Sequence, residues 1–141
     1  MNWFQWALLS AFFAGITAVL AKIGVTAVNS HLATAIRTSV ILVFTWGIAL
    51  AVVPRHSISG VSKRAWLFLI LSGLATGLSW LCYFRALQLG EASRVAPVDK
   101  LSVVFAIVLA GWFLKEKIGW QQGIGGGLIV AGAIILAWKP S

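Results

Sequence analysis

Seven charged residues stand inside or against the ends of otherwise apolar segments: Lys22, Arg37, Arg85, Glu91, Arg94, Asp99 and Lys100. The simplest threading of the chain brings all of them toward one leaflet of a membrane. A charge at the centre of a membrane helix costs roughly 2.5–3.5 kcal/mol on insertion scales, so such residues mark a site by default. Five of the seven are cations and two are acids, which suits an anionic ligand. Arginine would grip a carboxylate or phosphate with two parallel N–H donors, and lysine would serve as a compact point charge. The candidate binding set is Lys22, Arg37, Trp80, Asp99 and Lys100.

Each member also has a simpler reading. Lys22 lies about one turn from the end of its segment, where its stem can lie in hydrocarbon while the ammonium reaches the headgroups. Arg37 allows the same, and Arg85 suits an anchor or topology residue. Glu91 and Arg94 fall in a connection and read as a solvated ion pair. Asp99 and Lys100 are sharper. Adjacent helix positions do not face each other, so each is expected to need a partner from another helix or a cavity. Asp99 with Arg37 or Lys22 would be an ion pair between spans, either structural or broken when a ligand binds. Trp80 falls in mid-span and could line a cavity, whereas Trp3, Trp6, Trp66, Trp120 and Trp138 suit an interfacial belt. Cys82, the single cysteine, reads as a small buried hydrophobe. His31 and His56 show no metal spacing, and no nucleophile elbow, phosphate loop or carboxylate pair is present. The expectation is therefore no catalytic residue, no metal and no cofactor.

Composition says what must position these groups. Hydrophobic residues make up 60% of the 141 and charged residues only 10%, against about 25% charged in an ordinary soluble domain. The formal net charge of +8 is not a nucleic-acid signal, because the basic residues form no stripe and no recognition module is present. A membrane-crossing helix needs about 20 apolar residues. Five spans are expected, at approximately 3–28, 32–53, 65–89, 93–114 and 118–138. The first reads as a retained span rather than a secretory signal, since no basic residue precedes its long apolar run. The fourth is the difficult one. Its uncharged part, 101–114, would reach only about 21 Å, so the span must extend back through Lys100, Asp99 and Pro97. Pro97 removes a backbone donor and should loosen the helix there.

Lys and Arg are shared almost evenly between the two sides, five (55, 63, 64, 115, 117) against six (22, 37, 85, 94, 100, 139). So even a count suggests insertion in both orientations, or pairing with an oppositely oriented partner. Small residues four apart let helices approach closely in lipid. Gly73 and Gly77 fit packing within the chain or dimerisation. Gly123, Gly127 and Ala131 are expected to form the contact between two halves.

The passage Tyr83-Phe84-Arg85-Ala86-Leu87-Gln88-Leu89-Gly90-Glu91-Ala92-Ser93-Arg94-Val95-Ala96-Pro97 resembles the EamA family of the drug/metabolite transporter superfamily. The likeness continues through Phe113-Leu114-Lys115-Glu116 and the Gly-rich stretch 123–137. It covers residues 1–141 as one EamA-type transmembrane domain. The resemblance implies an all-α integral membrane protein of five transmembrane helices, one half of an inverted-repeat ten-helix transporter fold. It is similar to the single-domain branch, with Pro97-Val98-Asp99-Lys100-Leu101-Ser102 and Ala35-Ile36-Arg37-Thr38 as features of that branch. It implies a multi-pass protein of the cell inner membrane, transporting a small metabolite by alternating access as an antiparallel homodimer or with an oppositely oriented paralogue. The small multidrug resistance proteins, four-span relatives, depend on a Glu in the first span. This chain has Lys22 there instead, which argues against proton-coupled export of cations. The competing readings are a non-transporting membrane subunit of a lipid-modifying complex and a lipid-phosphate flippase subunit.

Overall fold

In the computed structural model, which describes residues 2–54 and 60–138, the described residues form six α-helices and no strand. They are α1 (Trp3–Val25), α2 (Ser30–Val52), α3 (Lys63–Leu89), α4 (Ala92–Asp99), α5 (Ser102–Phe113) and α6 (Trp120–Ala137). Five of the resulting segments are long and apolar enough to cross a membrane, with Ala92–Phe113 acting as one span in two pieces. That is the expected number of spans. Arg55, His56, Ser57, Lys139 and Ser141 lie outside the described residues.

Local chemistry sets the helix starts. Asn2 and Gln5 cap α1 reciprocally: the Gln5 N–H donates to Asn2 Oδ1 and the Asn2 N–H to Gln5 Oε1, both at 3.0 Å. Side chain and backbone thereby satisfy two donors that the first turn leaves without partners. Asn29 caps α2, its Oδ1 accepting from the His31 N–H at 2.9 Å, and Ser62 Oγ accepts from the Ala65 N–H at 3.2 Å at the start of α3. Glu91 stands at the cap position of α4 but makes no side-chain cap bond. Its carboxylate instead accepts from Arg94 Nε at 3.0 Å.

The fourth span breaks three residues beyond Pro97, not at it. Pro97 sits inside α4, and the chain turns at Lys100 and Leu101. There the N–H groups of Leu101, Val103 and Val104 reach back three residues at 3.0 Å, and that of Lys100 is shared between Pro97 at 3.1 Å and Ala96 at 3.3 Å. Tightened turns of this kind relieve a helix whose regular ladder has lost a donor. The 22 residues of Ala92–Phe113 still extend about 33 Å at helical rise, enough for a crossing.

The chain divides into two compact units, one of Met1–Lys22 with Leu89–Ser141 and the other of Ile23–Gln88. In the first, α4 and α5 both pack against α6. Gly126 is buried, and a methyl group added to it would touch Ile107 and Val104 at 3.9 Å, so it faces α5. Ala133, two turns on, is buried too. Among the described residues of the second unit, Val25, Ser30, Thr34, Phe84 and Leu87 are buried. Ser30 and Thr34 lie on one face of α2, and the Thr34 hydroxyl is satisfied by the Ser30 carbonyl at 2.8 Å. Phe84 and Leu87 lie near the end of α3.

Most large apolar side chains on these helices stay exposed, for example Phe12, Val43, Leu78 and Trp112. On a soluble monomer such surface would be extraordinary; on a membrane chain it faces lipid tails or another helix.

Candidate functional site

The residues that the sequence pointed to are divided between the two compact units. In the unit Ile23–Gln88, Arg37 follows Ser30 and Thr34 on the same face of α2, roughly 10 Å into the span. Its guanidinium carbon lies 4.5 Å from the centroid of the Trp80 ring and 5.5 Å from that of Phe84. Trp80 and Phe84 are one turn apart on α3, so the cation rests against two aromatic faces. Their negative quadrupoles stabilise it by about 1–2 kcal/mol, more as water is excluded. Stacking engages the plane of the guanidinium and leaves its N–H edge for other groups. Among the described residues no carboxylate pairs with Arg37. A planar donor fork, held in a membrane span by rings rather than by an acid, can take an oxyanion bidentately.

Lys22, Asp99 and Lys100 belong to the other unit, and each is engaged. The Lys22 ammonium donates to the Gly90 carbonyl at 2.7 Å, a charge-assisted bond tying the end of the first span to the residue after α3. Asp99 forms an ion pair with its neighbour Lys100 at 3.8 Å. The expectation that each needs a partner from another helix or a cavity, because adjacent helix positions diverge, is not met. The helix ends at Asp99, and the turn at Lys100 brings the two side chains together. Glu91 and Arg94 form the ion pair expected of them, with Glu91 exposed and Arg94 half-buried.

Other placements differ from expectation or sharpen it. Cys82, expected to be buried, is exposed. The span-end tryptophans Trp3, Trp6, Trp66, Trp120 and Trp138 are all exposed, as headgroup contact requires. Gly123, Gly127 and Ala131 lie on the exposed face of α6, and an added methyl at Gly123 or Gly127 would meet nothing within 4 Å. The inward face of that helix is Gly126 and Ala133 instead. Among the described residues no cluster of three His, Cys, Asp or Glu could hold a metal ion.

Sequence reasoning missed Phe84 as the second ring under Arg37, and it missed Gln88. The spacing 80, 84, 88 is one helix face, and that periodicity was the available signal. Gln88 Nε2 donates to the carbonyls of Val25 at 3.3 Å and Val28 at 2.9 Å. Arg85 Nη1 in turn donates to Gln88 Oε1 at 3.0 Å.

Five span-length helices with few buried residues and a stacked cation inside one span define a multi-pass membrane protein. The chain belongs to the EamA-like transporter family, whose model matches residues 1–138. It is 53% identical over 136 residues to a Sinorhizobium protein described as an uncharacterized transporter in the cobO 3' region, covering 96% of both chains. It is also similar to two proteins of Erwinia tasmaniensis described as probable subunits of a 4-amino-4-deoxy-L-arabinose-phosphoundecaprenol flippase. The likeness to ArnF is 38% over 75 residues, covering 52% of this chain and 59% of that one. The likeness to ArnE is 30% over 80 residues, covering 57% and 74%. No solved structure matches the chain. These similarities are to transporters, not to enzymes.

Proposed function

We propose that this protein transports a small anionic metabolite across the bacterial inner membrane by alternating access, working as an antiparallel dimer or with an oppositely oriented partner. The observation that carries the reading is Arg37, stacked on Trp80 and Phe84 within a span and paired with no acid among the described residues. An uncompensated cation is expensive in hydrocarbon, and a bound carboxylate or phosphate offsets that cost. The anion site rests on Arg37 and Trp80. Lys22, Asp99 and Lys100 are proposed to bias the conformational change, because each already holds a bond that substrate binding could exchange.

The dimer is supported by what the chain leaves open. Gly123, Gly127 and Ala131 form an exposed small-residue face, and among the described residues nothing lies within 4 Å of a methyl added at either glycine; this is the kind of surface that packs against another helix in lipid. The even distribution of basic residues supports an inverted pair. Two inverted copies would surround a site at mid-membrane, as in transporters built from inverted repeats.

A second reading is favoured by the likeness to ArnF and ArnE: the anion is a lipid phosphate, and the chain is a flippase subunit. Proteoliposomes separate the two. Uptake of soluble carboxylates or phosphates that is lost in Arg37→Gln supports metabolite transport. Arg37-dependent movement of an undecaprenyl phosphate between leaflets, without soluble uptake, supports the flippase.

A further inference from the structure

We infer that Gln88 is a positioning residue: it fixes the register of α2 on α3 and thereby holds Arg37 over Trp80. Its functional weight rests on the proposed role of Arg37, while its geometry stands alone. α1 ends at Val25 and α2 begins at Ser30. Carbonyls at the end of a helix have no partner within it, and near a membrane water is a poor substitute. The Thr26 hydroxyl takes the Ile23 carbonyl at 2.7 Å, and Gln88 takes Val25 and Val28. One amide thus clasps both ends of the turn between the first two spans.

Arg85 decides which way that amide points. A guanidinium has donors only, so its bond to Oε1 turns the oxygen toward Arg85 and the NH2 group toward the two carbonyls. The clasp then sets a length. From Val28 to Arg37 is nine residues, and from Gln88 back to Trp80 is eight residues of α3. At helical rise these run about 13 and 12 Å. Two helices leaving the clasp in step bring Arg37 opposite Trp80, where the guanidinium is found at 4.5 Å. The buried Thr34 and Phe84 fill the interval.

The test is a double-mutant cycle between Arg37→Gln and Trp80→Leu, measured by reversible unfolding of the full chain in lipid–detergent micelles. It is run in the unmodified protein and again in Gln88→Leu and Gln88→Glu backgrounds. The cycle cancels general destabilisation and reports only the coupling. Gln88→Glu keeps the size and the Arg85 partner but replaces the donor with an acceptor, and it carries the test if Gln88→Leu does not fold. In the unmodified protein we expect a coupling of about five-fold in the unfolding equilibrium. In both Gln88 backgrounds it should fall to near unity. Amide hydrogen exchange across residues 26–34 should rise about ten-fold, with residues 120–137 unchanged. Coupling that survives at full size in both backgrounds overturns the positioning role. Exchange unchanged at 26–34 overturns the clasp itself. No coupling in the unmodified protein overturns the Arg37 stack, and with it the anion reading, whatever Gln88 does.

Discussion

Replacing Arg37 in graded steps separates the three things it supplies: a charge, a planar face and a donor fork. Arg37→Lys keeps the charge, loses most of the stacking on Trp80 and Phe84 and cannot bind bidentately. Each hydrogen bond to a charged group contributes about 1.5–3 kcal/mol, so losing one arm of the fork should weaken anion binding roughly ten-fold or more. Arg37→Gln loses the charge as well, and at least a hundred-fold loss is expected on the same scale. Trp80→Leu keeps apolar bulk in mid-span but removes the nearer ring at 4.5 Å. With about 1 kcal/mol of cation–π stabilisation gone, the guanidinium is less well held, and a loss of roughly five-fold is expected. The assay is the thermal shift of purified protein against a panel of carboxylates, inorganic phosphate, cations and neutral amino acids, followed by uptake of any hit into proteoliposomes. Expression and dimer content are followed in parallel. The order wild type, Trp80→Leu, Arg37→Lys, Arg37→Gln is the prediction. Uptake by Arg37→Gln at the wild-type rate refutes the reasoning, since Arg37 would then be an anchor. Failure of Arg37→Gln to insert or fold, with Arg37→Lys fully active, assigns the residue to structure instead.

Two faces of α6 should respond differently. Gly126→Leu is expected to destabilise the monomer by about 1–3 kcal/mol, because its side chain would overlap Ile107 and Val104. Gly123→Leu or Gly127→Leu should leave monomer unfolding unchanged and reduce the crosslinked dimer. Dimer unaffected in both detergent and membranes would remove the proposed interface. Lys115 has φ 54, a left-handed backbone at the end of α5 that carries the chain into the last connection. Lys115→Gly should raise stability by up to about 1 kcal/mol, and Lys115→Val should lower it by more, in thermal unfolding. For topology, Val61→Cys and Ser93→Cys, made in a Cys82→Ser background, flank α3 at opposite ends. Labelling of each from both sides of the membrane indicates dual insertion, and labelling of each from one side only, in an active homo-oligomer, excludes it.

The spans were legible because a crossing helix must be both long and apolar, and few other structures need a sequence to be either. The break in the fourth span was legible as a region but not as a residue. Pro97 announces a missing donor, yet the tightened hydrogen bonds gather at Lys100–Val104, because a helix can absorb the loss one turn later. That displacement is what let Asp99 and Lys100 pair. The role of Gly126 was hidden for a related reason. α6 holds glycine at 123, 125, 126 and 127, so small residues point in nearly every direction, and only the side chains of α5 determine which one is inside.

The Arg37 site shows where single-residue reading stops and face reading begins. Arg37 and Trp80 were each suspect alone, one as a charge in hydrocarbon and the other as a tryptophan away from the interface. Nothing about either residue named the other. The link comes from counting turns: 30, 34 and 37 on α2, against 80, 84 and 88 on α3, are two faces of about two turns each, starting from one clasp. A cation placed by that count rests on aromatic rings, which stabilise it without neutralising it. An acid in the same place would have closed the site with an internal ion pair and removed the reason to bind anything else. Rings instead of an acid leave both the net charge and the donor edge, and these two properties together are what an anion requires.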